Sequence, residues 1–182
     1  MFCNRIQNPI LRGAAEWLVS IGLAVLLFFV VRGFLFRTAH VDGGSMSPTL
    51  IHGDMLILNR LTYFISSPKV GDIVAFLYTE ESGEYYIKRI VAAPGDVVDL
   101  RDGFFYVNEE LLNDDFSSEE TLVYGDVEFP VTIAKKNYFV LGDDRNGSQD
   151  SRFVNVGTVS AEKIVGRANF RIWPFDRVGR VQ

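Results

Sequence analysis

The chain has 182 residues, 48% of them hydrophobic, one cysteine and a formal net charge of −5. That length accommodates one medium domain plus a membrane segment, and the hydrophobic share exceeds what a purely soluble domain needs. The acidic balance leaves no basic stripe to neutralise phosphates, so no nucleic-acid partner is expected, and the lone Cys3 rules out a disulfide framework or a thiolate zinc site.

The apolar excess sits near the start. Trp17 to Val31 reads WLVSIGLAVLLFFVV and resumes after Arg32 through Phe36, giving the about 20 residues that span a bilayer. Arg32 is placed to snorkel to the headgroups. A cleaved signal peptide would have a shorter apolar run followed by small residues, whereas here Arg37 and His40 follow. Residues 14–37 are therefore read as an uncleaved transmembrane anchor, with 1–13 before it and 38–182 after it. Arg5 and Arg12 lie on one side, Arg32 and Arg37 on the other, so charge alone leaves the orientation nearly balanced.

After the anchor, short β-branched and aromatic runs alternate with Gly, Asp, Asn and Pro, the pattern of antiparallel β structure. Strands are predicted at 54–59, 72–78, 85–93, 104–108, 138–142 and 163–173, with a helical turn near Thr62 to Ser66. Asp102-Gly103 makes a hairpin turn, and the chain turns again at Asn108 to Glu110. The fold class is mostly β: one transmembrane helix, then an antiparallel β domain with a small β-ribbon subdomain at about 99–130. Residues Asn113 to Asp126, acidic and serine-rich, read as a surface excursion.

Three stretches stand out for chemistry: SMSPTL from Ser45, KRIVAAPGD from Lys88, and GDDRNGSQDSR from Gly142 to Arg152. Ser45 lies in a Gly-Gly-Ser turn, where a hydroxyl is presented rather than buried. A serine nucleophile needs a base. His40 and His52 lie too close in sequence to fold back easily onto Ser45, so surface roles suit them better. Lysine serves as a base only when neutral, which means lowering its pKa from about 10.4 at a cost of about 4 kcal/mol. Burial on an apolar strand achieves this. Alternation puts Lys88 with Tyr86 and Ile90 and Arg89 with Ile87 and Val91; both faces carry apolar neighbours, and a strand lysine is ordinarily solvated. Asp150 and Arg152 are placed as a charge pair, worth at most about 1 kcal/mol if it lies on the surface.

SMSPTL, GDIV at Gly71, KRIVAAPGD, GDDRNGSQDSR and the closing FRIWPFDRVG together resemble the bacterial type I signal peptidase family in content, order and spacing. The resemblance implies a membrane-bound serine endopeptidase that removes signal peptides from exported preproteins, with the N-terminus cytoplasmic and the β domain extracytoplasmic. It implies Ser45 as nucleophile and Lys88 as general base, Ser148 orienting the lysine amine, and Asp143, Asp150 and Arg152 as polar support. Where some relatives place an oxyanion-binding serine, this chain has Gly43, which resembles the short Gram-positive type and leaves the second oxyanion donor open. Met46 and apolar residues of 54–58 are expected to line substrate pockets. Partners are preproteins and the lipid bilayer; neither cofactor nor metal is expected. The alternative is a catalytically silent or specialised relative acting as a partner in pilus or surface-protein assembly; a silent one should lack Ser45 or Lys88.

Overall fold

The computed structural model describes residues 9–81, 83–112 and 120–181. The chain divides into two compact units, Met1–Phe36 and Arg37–Gln182. Cys3, Arg5 and most of the 1–13 segment lie outside the described residues, as does the 113–119 part of the acidic excursion.

The first unit is a helix, α1 (Pro9–Leu35). Pro9 opens it, at a position where a missing N–H costs nothing. Trp17, Leu18, Ile21 and Leu26 each leave more than half their surface exposed, as expected of a helix apolar all round. The segment predicted at 14–37 is thus helical to Leu35. Among the described residues no helix is long and apolar enough to cross a membrane.

The second unit is built on antiparallel sheets. Its strands are β1 (Phe36–His40), β2 (Met55–Asn59), β3 (Ile73–Leu77), β4 (Tyr85–Ala92), β5 (Val97–Arg101), β6 (Phe104–Val107), β7 (Glu110–Leu111), β8 (Val131–Thr132), β9 (Asn137–Leu141), β10 (Val159–Ser160), β11 (Ile164–Trp173) and β12 (Gly179–Arg180). A short helix, α2 (Thr62–Ile65), lies at the predicted helical turn. The larger sheet runs β1-β2-β11-β3-β4-β9-β10, with β12 also on β11; the smaller runs β7-β6-β5-β8. All six predicted strands form, within a residue of their predicted ends. Sequence reading missed β1, assigned to the anchor, and β5, whose VVDLR is interrupted by a charge. It also missed the two-residue strands β8, β10 and β12, too short to show periodicity.

β5 and β6 meet at Asp102-Gly103, φ 50° and 80°, and β6 and β7 at Asn108-Glu109, φ 53° and 68°. Both central residues at positive φ make the tight turn that matches strand twist. The central strands are covered on both faces: Ile73, Val74, Ala75 and Phe76 are all buried, as are Lys88 and Arg89 on β4. Alternation therefore could not say which side faced the core, because both do. One apolar cluster packs Val41, Met46, Leu50, Leu56 and Leu58 together. Another joins the sheets through Phe105, Phe129 and Phe139, whose ring centroids lie 6.1 to 6.5 Å apart.

Candidate active site

Ser45 opens a tight turn between β1 and β2. Ser47 N–H donates to Gly44 O and Leu50 N–H to Met46 O, each at 2.8 Å, while Met46 and Leu50 sink into the core as anchors. The turn rests on the Gly142–Arg152 loop that follows β9. Asp144 N–H donates to Ser45 O at 3.2 Å. A side chain at Gly142 would run into Ser45 O and the Ser148 hydroxymethyl group. Glycine is required there because the loop passes directly beneath the Ser45 backbone.

Lys88 arrives from the middle of β4, paired across the sheet with Val74. Its Nζ stands 2.7 Å from Ser45 Oγ, and the residue is 4% exposed. Burial pulls its pKa down to about 8; Asp150 and Asp143 pull the other way, and Arg152 adds to the lowering. The Tyr86 ring lies 5.2 Å from Nζ. Ser45 and Lys88 thus bring an exposed-turn hydroxyl against a partly neutral amine, which is the requirement for a serine nucleophile activated by lysine.

Behind this pair stand two buried ion pairs. Arg89 grips Asp143 through two parallel bonds, Nε to Oδ1 at 2.8 Å and a terminal nitrogen to Oδ2 at 2.7 Å, and Thr49 Oγ1 donates to the same Oδ2 at 2.6 Å. Arg152 binds Asp150 at 2.8 and 2.9 Å and also holds Ser148 O and Val123 O. Both Asp150 and Arg152 are fully buried, so the pair is not the surface contact its sequence spacing allowed. Breaking it strands a charge and costs about 3–5 kcal/mol. The carboxylates tie the loop to the sheet: Asp150 accepts from Gly142 N–H at 3.0 Å.

Ser148 Oγ is buried with no hydrogen-bond partner, so the contact to Lys88 that the resemblance implied is not made here. Gly43 and Met46 line the cleft, together with His40, Tyr86, Ile87 and Gln149. Residues 54–58 do not: Leu56 and Leu58 are core, and Asp54 is buried against Arg171 and Arg177. Alternation along β2 sends Leu56 and Leu58 inward, while Met55 and Ile57 are half-buried on the other face, away from the cleft lining. Sequence reading also missed Arg89 and Thr49, whose role depends on Asp143, 54 and 94 residues away; a buried arginine next to the candidate base was the available signal.

The cleft holding Ser45 and Lys88 has a volume of about 410 Å³. A larger cavity of about 560 Å³ lies over α2, but its Ser66 hydroxyl donates to Thr62 O rather than facing a base. Among the described residues no group of three or more His, Cys, Asp or Glu side chains is arranged to hold a metal.

A hydroxyl and a buried amine in contact, on an antiparallel β scaffold beside a cleft, are the groups that a serine hydrolase with a lysine base requires. Residues 14–173 match the family described as "Signal peptidase, peptidase S26", and the chain belongs to that family of serine endopeptidases. It is 34% identical over 170 residues to signal peptidase I P of Bacillus subtilis subsp. natto, covering 90% of this chain and 91% of that one. It is 37% identical over 171 residues to signal peptidase I T of Bacillus subtilis strain 168, covering 90% and 87%. A crystallised signal peptidase I from Enterococcus faecalis V583 is 29% identical, with a TM-score of 0.46 over 56% of this chain and 97% of that one. The silent assembly-partner reading is not favoured.

Proposed function

We propose that this chain removes N-terminal signal peptides from exported preproteins, with Ser45 as nucleophile and Lys88 as its base. The observation that carries this is the 2.7 Å contact between Ser45 Oγ and a buried Lys88 Nζ at the floor of the cleft. Neutral Lys88 takes the Ser45 proton as Oγ attacks the scissile carbonyl carbon. The tetrahedral intermediate collapses, the C–N bond breaks, and Lys88 returns the proton to the leaving amine. Water, deprotonated by Lys88, then hydrolyses the ester, and Ser45 regains its proton.

Ser148, Asp143, Asp150 and Arg152 support the site. The two aspartates hold the loop under Ser45, and their charges keep Lys88 from losing its proton too readily. Ser45 N–H is one donor for the oxyanion; Gly43 supplies no hydroxyl beside it. Met46 closes the cleft wall next to the nucleophile. The substrate lies extended along a sheet edge, its alternate side chains entering the cleft.

Residues 14–37 serve as a single-pass anchor, with 1–13 cytoplasmic and 38–182 extracytoplasmic. What supports this is the length of the apolar run and the exposed apolar side chains of the described part of α1. Anchoring enzyme and substrate in one bilayer raises their effective concentration and fixes the height of the cut.

The test is cleavage of a preprotein by the detergent-solubilised full-length chain, with product termini read by mass spectrometry. Cleavage after a small residue, lost in Ser45→Ala and Lys88→Ala, is expected. Retained turnover in either variant overturns the assignment of that residue.

A further inference from the structure

Two consecutive glycines, Gly43 and Gly44, precede the nucleophile, and Gly43 sits at φ 93°. Such a pair has more backbone freedom than other residues would have. A hydroxyl that must stay within hydrogen-bond reach of its base needs that freedom removed. Here Gly43 N–H donates to Nδ1 of His52 at 3.3 Å. The reach is short because the loop is closed by Val41 N–H to Asp54 O and Gly53 N–H to Val41 O, both 2.9 Å.

The same Nδ1 lies 3.1 Å from Asp42 Oδ1. The two contacts demand opposite states of one nitrogen. Unprotonated Nδ1 accepts from Gly43 N–H; protonated Nδ1 donates to the Asp42 carboxylate and has no lone pair left for Gly43. We infer that His52 is a positioning residue for the cleavage reaction: its ring, with Nδ1 unprotonated, pins the Gly43-Gly44 turn ahead of Ser45, and a proton on Nδ1 exchanges that pin for Asp42. The inference rests on the reading of Ser45 and Lys88 as the reacting pair.

Two carboxylates belong to the same loop as His52. Asp54, two residues on, is already engaged by Arg171 and Arg177, whereas Asp42 is exposed and within reach of the ring. Glu84, Lys88 and His40 face the turn from across the cleft and from β1.

The experiment is kcat against pH for the full-length wild type, His52→Ala and His52→Asn in detergent. Asparagine places Oδ1 where Nδ1 stands, as an acceptor that does not titrate. Wild type is expected to show, beyond the Lys88 limb, a further drop of about fivefold towards acid pH, the worth of one backbone hydrogen bond. His52→Ala is expected to lose about fivefold on the alkaline plateau, and His52→Asn to recover most of it, with neither showing the extra drop. An extra drop that survives in His52→Asn, or a His52→Ala plateau equal to wild type, overturns the inference. If His52→Ala unfolds, comparison of wild type with His52→Asn still decides. Loss of the limb near pH 8 from all three proteins, with their differences intact, overturns the lysine base alone.

Discussion

Lys88 offers the sharpest quantitative test, because its burial governs both the rate and the stability. With its pKa at about 8, the neutral fraction is about 9% at pH 7 and about 90% at pH 9. The kcat/KM for preprotein cleavage should therefore rise about tenfold across that interval and level off above it. A lysine left at its ordinary value would instead give about a 100-fold rise, continuing past pH 10. The same displacement, from 10.5 to about 8, makes the protonated form of the folded protein less favourable by about 3 kcal/mol. The folded pKa is lowered, so between pH 8 and 10.5 the unfolded chain binds more protons than the folded one. Stability must then climb with pH across that window, and the full penalty is present below pH 8. Lys88→Met removes the penalty. Urea unfolding of the full-length protein in detergent should find this variant more stable by up to about 3 kcal/mol at pH 7, with the gain fading by pH 10.5. A gain that does not depend on pH, or a rate that climbs steadily through pH 10, would refute the account of Lys88 as a base whose pKa burial lowers.

The other predictions concern the surroundings of the pair. Lys88→Arg should fold but lose cleavage by at least about 10³-fold, because a guanidinium keeps its proton at any working pH. Asp143→Asn leaves Arg89 buried without its carboxylate and should cost about 3–5 kcal/mol in chemical denaturation, with activity falling as the loop loosens; an unchanged midpoint would contradict the role given to that pair. Gly142→Ala forces Ser45 O and Ser148 apart and should destabilise by about 1–3 kcal/mol while lowering kcat more than it raises KM. Ser148→Ala removes a buried hydroxyl that has no partner, so stability should hold or rise. A fall in kcat would then report an orienting contact made during turnover, and an unchanged kcat would remove Ser148 from the site.

Sequence alone determined the local features. Periodicity placed six of the strands, turn-forming dipeptides such as Asp102-Gly103 placed the hairpin turns, and an apolar run broken by one arginine placed most of α1, because each of these is written in residues a few positions apart. The order of SMSPTL, KRIVAAPGD and GDDRNGSQDSR also pointed to the family and to Ser45 and Lys88. What tertiary structure decided was burial and pairing. Lys88 and Arg89 are neighbours on a strand whose two faces are both covered, so alternation could not tell a solvated lysine from a buried base; the assembled fold buries both. Arg89 finds Asp143, Arg171 finds Asp54, and Thr49 finds Asp143 across 54, 117 and 94 residues, distances over which no sequence pattern carries a signal. Leu56 and Leu58 face the core rather than the cleft for the same reason. The side of a strand that meets the substrate is fixed by what packs behind it, and only the assembled sheets supply that.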